Sequence, residues 1–245
     1  MKPMKKLVFF LFAAVLAVSA LSGASYAYFT DSITSEQNVI VAGNIDIRQD
    51  ELERTIDANG NVVLQPFTQN QVMMPMVGTL ARASFTVEGH SVQLVTDAAQ
   101  NYMDKIVSVR NVGSNPAYVR TVIAVPTAAG VNWLHIDTAS SPWIWEQPVT
   151  AEINSITYTL YCANYPEALA SDAVAEPSLL GVWVDSMVDF DGTSYYLGNS
   201  TLGNLPDFHI LVCTQAVQTT TFDNATDGLL TTFGAISADN HPWAD

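Results

Sequence analysis

Ile106-Val107-Ser108-Val109-Arg110-Asn111, then Val112-Gly113-Ser114-Asn115-Pro116, then Ala117-Tyr118-Val119-Arg120-Thr121-Val122-Ile123-Ala124-Val125: this stretch decides the fold class. Its first part alternates in polarity with a period of two, the pattern of a strand. The Gly-Ser-Asn-Pro cluster is a turn. The last part is a second strand, with Tyr118, Arg120 and Val122 on one face and Val119, Thr121 and Ile123 on the other.

Further strands extend the pattern in both directions. Asn38-Val39-Ile40-Val41-Ala42 is a β-branched run closed by Gly43, and Asn44-Ile45-Asp46-Ile47-Arg48 alternates. Asp57-Ala58-Asn59-Gly60 carries an Asn-Gly turn ahead of Asn61-Val62-Val63-Leu64, which predicts a hairpin bringing Arg54 near Leu64. Ile156 to Cys162 and Phe208 to Val217 read as two more strands. Helical signal is confined to Thr96 to Lys105 and to Asn224-Ala225-Thr226-Asp227-Gly228-Leu229-Leu230, the latter with a capping Asn. The expectation is an all-β, jelly-roll-like antiparallel β-sandwich with short peripheral helices. Within it, Thr127 to Ser194 is the least regular stretch, rich in aromatic and acidic residues. It reads as an insert that decorates the sandwich.

The N-terminus is a different object. Lys2, Lys5 and Lys6 precede Leu7 to Gly23, an uncharged apolar stretch of 17 residues, and Ser25-Tyr26-Ala27 places small residues at −3 and −1 of a cleavage site. This is the layout of a secretory signal cleaved between Ala27 and Tyr28. The other reading is an uncleaved anchor, at the short limit of the ~20 apolar residues that spanning needs. The domain reading is therefore a signal at 1–27, an extended arm at 28–41, and one sandwich domain at 42–245 with the insert at about 127–194. No second long apolar stretch and no Leu-Pro-x-Thr-Gly sorting motif follows. The expected product is secreted, to the extracellular matrix or cell surface, with no stable membrane anchor after cleavage.

Charge narrows the partners. The chain of 245 residues has 9 Lys+Arg against 24 Asp+Glu, a formal net charge of −15. That balance argues against nucleic acid, which is held by clusters of Lys and Arg, and against docking on an anionic membrane.

Chemical motifs are sparse. The histidines are His90, His135, His209 and His241, with no His-Glu-x-x-His and no Gly-x-Ser-x-Gly. His209, in the predicted strand from Phe208, reads as a packed or edge histidine. Asp185, Asp189 and Asp191 form an acidic cluster ending in Gly192. They either supply carboxylates to Ca²⁺ or make a solvated Asp-Gly turn. Cys162 and Cys213 are either a disulfide worth roughly 2–4 kcal/mol or two buried thiols. Trp143-Ile144-Trp145 either stacks on sugars or is core plus one exposed ring. Asn199-Ser200-Thr201 and Asn224-Ala225-Thr226 are glycosylation sequons.

Three stretches together resemble the TasA/camelysin family. They are Ala27-Tyr28-Phe29-Thr30-Asp31-Ser32 with Ala42-Gly43-Asn44-Ile45-Asp46-Ile47, then Asp104 to Arg120, then Gln215-Ala216-Val217-Gln218 with Phe222-Asp223 and Phe233-Gly234. The resemblance implies a secreted jelly-roll subunit of biofilm fibres, matured by a dedicated signal peptidase of the endoplasmic-reticulum type. It implies partners that are copies of itself or related fibre subunits, with one subunit's N-terminal segment completing a sheet of the next. No cofactor is expected, calcium at the acidic cluster of Asp185, Asp189 and Asp191 being the exception. The family's peptidase label has no metal motif to support it here, so the expectation is a structural protein and not an enzyme.

The arm suits strand donation. Tyr28, Phe29, Thr30 and Ile33 are the candidate donor residues, and Tyr28 to Ala42 reaches ~50 Å when extended. The competing reading pairs the arm within its own sheet. A secreted hydrolase, a carbohydrate-binding module or a wall-bound adhesin built on the aromatic, acidic insert are the alternative functions.

Overall fold

The structure is a computed structural model, and it describes residues 39–40, 45–68, 71–73, 85–92, 102–137, 142–203 and 209–244. Its strands run, in chain order, β1 (Val39–Ile40), β2 (Ile47–Ile56), β3 (Val62–Pro66), β4 (Phe85–Val87), β5 (His90–Val92), β6 (Tyr102–Asn111), β7 (Ala117–Pro126) and β8 (Leu134–Asp137). They continue with β9 (Ile144–Trp145), β10 (Val149–Ile153), β11 (Ile156–Asn164), β12 (Val174–Val184), β13 (Val188–Phe190), β14 (Tyr195–Leu197), β15 (Ser200–Gly203) and β16 (Leu211–Gln218). One helix, α1 (Ala225–Phe233), closes the series.

Two antiparallel sheets carry the fold. The first has the order β1-β2-β6-β12-β8, with β3 on the same side of β2 as β1. The second has the order β10-β11-β7-β16, with β9 beside β10 on β11. Alternation turns Val107 and Val109 of β6, Leu179 and Val182 of β12, Val119, Ile123 and Val125 of β7, and Val212 and Ala216 of β16 into a shared interior. This is the antiparallel sandwich expected, and the predicted split of β7 into two faces holds. So does the hairpin: Arg54 and Leu64 are directly opposite one another.

Both sheets are also covered outside, which explains why β6 and β7 are buried almost along their whole length. The β4–β5 hairpin seats Val87 on Ile106 and Leu180. The C-terminal segment lays Ile236 and Trp243 over Val122, Leu160 and Tyr158. Helix α1 packs Leu229 against Val217 and Tyr118. Its cap is the one read from the sequence, Asn224 accepting from the Asp227 backbone N–H at 2.9 Å.

Three expectations are corrected. Thr127 to Ser194 is not a decoration: it supplies β11, which pairs with β7, and β12, which pairs with β6 at the centre of the first sheet. The small β13-β14-β15 meander, begun within that stretch, forms a sheet of its own and packs Leu202, Val188, Tyr195 and Leu197 against the core. Tyr102 to Lys105 is strand and not helix. The last strand begins at Leu211, leaving His209 exposed ahead of it.

Candidate assembly interface

A sheet edge presents unpaired N–H and C=O groups, and proteins blunt such edges with charge, proline, bulges or covering side chains. Most edges of this sandwich are blunted. β3 is short, exposed and ends in Pro66. β8 has four residues, including His135 and Asp137. β10 presents Glu152 to solvent. Beyond β8, β12 is interrupted by Pro177 and by a register shift between Ala175 and Leu179. There the Val174 carbonyl accepts from His90 Nε2 at 3.2 Å and the Glu176 carbonyl from Trp143 Nε1 at 2.7 Å.

β16 differs. It reads Leu-Val-Cys-Thr-Gln-Ala-Val-Gln, with no charge and no proline. Its register with β7 is unbroken from Leu211 opposite Ala124 to Gln218 opposite Ala117. Val212, Thr214 and Ala216 are buried on its inner face, Cys213 and Val217 on its outer face. Among the described residues no strand pairs with its other edge. A long apolar edge strand that no described strand pairs, free of charge and proline, is a template for strand addition.

The interior behind this edge has one polar row. Thr121 and Thr214 hydroxyls lie 3.2 Å apart, and Thr214 Oγ1 donates to Gln49 Oε1 at 2.6 Å across the sandwich. Gln49 Nε2 then donates to Glu51 Oε1 at 3.1 Å, and Glu51 pairs with Lys105. Toward one end of the sandwich Ala117, Ala163, Ala175 and Ala216 pack with Ile45, Ile47, Leu169 and Trp143. Toward the other lie Ile123, Leu134, Leu179 and Trp133.

Cys162 and Cys213 do not pair. Both stand opposite Val122, one on each side of β7. Two strand spacings, roughly 9.5 Å, separate them, beyond the ~7 Å that a disulfide bridges. Both are buried and free, and burial pushes each thiol up to about 12.

The aspartates of the sequence cluster do not converge. Asp185 Oδ1 accepts from the Met187 N–H and its Oδ2 faces His135 at 3.1 Å. The Met187 bond, with help from His135, holds its carboxyl below the ordinary range against the desolvation that raises it. Asp189 accepts from Phe190, and Asp191 from Thr193 and Ser194. Each carboxylate serves its own turn. Both tryptophans of Trp143-Ile144-Trp145 pack inward, and Ile144 is the exposed residue. Cleavage residues Ala27 and Tyr28, and donor candidates Tyr28, Phe29, Thr30 and Ile33, lie outside the described residues. Among the described residues no helix is long and apolar enough to cross a membrane.

The fold defines a class: an antiparallel β-sandwich in which, among the described residues, the outer edge of β16 is unpaired. Its N-terminal part is similar to a known family. The model of the family described as camelysin metallo-endopeptidase matches residues 2–101, about two-fifths of the chain, in agreement with the resemblance read from the sequence. No curated protein and no solved structure matches.

The family's description implies a catalytic metal. His90 sits beside Glu176 at 3.5 Å, His135 beside Asp185, His209 is exposed, and the His241 ring lies tilted beside Trp243. No two histidines share a site. Among the described residues no three His, Cys, Asp or Glu side chains are placed to hold one ion. A catalytic zinc takes three protein ligands converging on one point, and these residues do not fit it.

Proposed function

We propose that the chain is an exported structural subunit that assembles head to tail, the N-terminal arm of one copy adding as a strand to the β16 edge of the next. The observation that carries this is β16 itself, buried on both faces yet paired on one side. The arm's exit supports it. β1 holds Ile47 and Arg48 of β2, while Phe67 donates to the Glu51 carbonyl at 3.0 Å and β3 takes the edge from Leu52 onward. Among the described residues, Gln49 and Asp50 are what is left unpaired on that side. The described edge of β2 beyond β1 therefore offers room for about two further residues. β1 also lies with Cα atoms within 8 Å of β16, so the arm starts beside the open edge. A head-to-tail contact of this kind does not close on itself and builds a filament.

The test is sedimentation and negative-stain microscopy of the chain from Tyr28, beside a deletion of Tyr28 to Ser35, with circular dichroism to confirm folding. Filaments from the first and folded monomer from the second are expected. Phe29→Ala, if it empties an apolar slot worth ~3 kcal/mol, weakens association by roughly a hundredfold. Filaments from the deletion protein as readily as from wild type would overturn the proposal. The family's description favours peptidase activity as a second reading. Casein hydrolysis by purified chain, abolished by a chelator and restored by zinc, would establish it.

A further inference from the structure

We infer that Asn199 is a glycan acceptor of the exported chain, and that Asn224, in the second sequon, is not. The inference rests on export alone and is independent of strand addition at β16. An Asn-x-Ser/Thr acceptor belongs on an accessible surface loop. Its amide nitrogen must reach the transferase. The hydroxyl two residues on is part of what is recognised, so the tripeptide must be open to the enzyme along its whole length.

Asn199-Ser200-Thr201 meets both demands. Leu197 and Ser200 pair across a two-residue turn made of Gly198 and Asn199. Gly198 takes the φ of +58° that the first position of a type II′ turn needs, and Asn199 takes the second. Asn199, Ser200 and Thr201 are all exposed. Among the described residues the Asn199 amide makes no hydrogen bond. Ser200 and Thr201 begin β15, an outer strand of the β13-β14-β15 sheet, so they already lie extended with one edge unpaired among the described residues.

Asn224-Ala225-Thr226 fails the second demand. Asn224 Oδ1 accepts from the Asp227 N–H at 2.9 Å as the cap of α1, and Thr226 lies in the first turn of that helix. Ala225 between them is 6% exposed and packs with Val217 and Leu229. Opening this tripeptide unwinds the start of α1 and pulls Ala225 from its contacts.

The step is a group transfer from an oligosaccharide carried on a lipid diphosphate. A bond forms between Asn199 Nδ2 and C1 of the first sugar, and the bond from C1 to the diphosphate oxygen breaks. The lipid diphosphate leaves with that electron pair, and the amide proton passes to a base of the transferase.

Peptide mapping by mass spectrometry of the chain secreted by its own cells tests this. Sugar is expected on the peptide holding Asn199 and not on the one holding Asn224. Asn199→Gln and Thr201→Ala should each lose the sugar, Thr201→Ser should keep it, and Asn224→Gln should change nothing, with circular dichroism to confirm folding. Thr201→Ala leaves the acceptor nitrogen in place, so its loss separates enzymatic transfer from spontaneous glycation. The wild-type map decides even where a variant fails to fold. Both peptides bare, sugar on Asn224 at equal or higher occupancy, or sugar surviving in Thr201→Ala overturns the inference. A chain retained inside the cell overturns export and this inference with it, whereas the presence or absence of filaments bears only on the assembly reading.

Discussion

Arg54 and Asp104 form a pair with side chains 0% and 1% exposed, the guanidinium giving Nε and Nη2 to the carboxylate at 2.8 and 2.7 Å. Asp104 also accepts the Arg54 backbone N–H at 2.8 Å. Removing one partner leaves a buried charge uncompensated. Arg54→Ala is expected to cost roughly 3–5 kcal/mol in urea unfolding, and Arg54→Leu with Asp104→Leu much less. Equal losses in the single and double variants would contradict this. The thiols give a second prediction at this scale. Burial raises Cys162 and Cys213 from 9 to about 12, so the folded chain keeps its protons where the unfolded chain loses them. Their contribution to stability is full below pH 9 and falls as pH rises toward about 12. Native protein at pH 8 should resist thiol alkylation, and denatured protein should react at both positions. Rapid native labelling would show the outer layer over β7 to be open. Neither the ion pair nor the separation of the thiols was legible in the sequence, because both depend on partners tens of residues away. The helical signal at Thr96 to Lys105 misled for the same reason: the charges of Asp104 and Lys105 are neutralised by Arg54 and Glu51 from β2.

At the scale of elements, β12 is held against β6 by a close approach at Gly181. A Cβ there would fall 2.5 Å from the Met103 carbonyl oxygen and from the Tyr102 ring. Tyr102 cannot give way easily, since it is 1% exposed and its hydroxyl donates to Asp137 at 3.1 Å. Burial, with the Asp137 and Asp104 charges, pushes that phenol far above its ordinary value, so it stays a donor. Gly181→Ala should therefore cost at least ~1–3 kcal/mol through overpacking, read as a lower unfolding midpoint. Asn224→Ala, which removes only a cap at the surface, should cost ~1 kcal/mol. Strands with local signals were legible. Asn59-Gly60 set the β2–β3 hairpin, and polarity alternation set β7. What failed was rank within the sheet. Ile156 to Cys162 was readable as a strand, yet nothing local says that β11 and β12 are central and not decoration, because strand order is fixed by pairings between distant segments. The open edge of β16 was hidden likewise, although its lack of charge and proline was visible in Leu211 to Gln218.

For the whole molecule, charge and edge act together. Among the described residues every basic side chain is engaged: Arg48 with Asp50, Arg54 with Asp104, Lys105 with Glu51, Arg110 with Glu88, and Arg120 with Gln215 and the Gly234 carbonyl. The remaining carboxylates leave an acidic surface, which keeps sandwiches apart except where β16 offers neutral backbone. Screening by salt should then speed filament growth in light scattering while leaving the unfolding midpoint nearly unchanged. The most direct measurement of the central claim is amide hydrogen exchange in a chain lacking Tyr28 to Asn38, with and without a synthetic peptide of that sequence. Added peptide should slow exchange at alternate amides of Leu211 to Gln218, those facing away from β7, and leave β3, β8 and β10 unaffected. Protection appearing on another edge, or none on β16 while the chain with its arm forms filaments, would contradict the account.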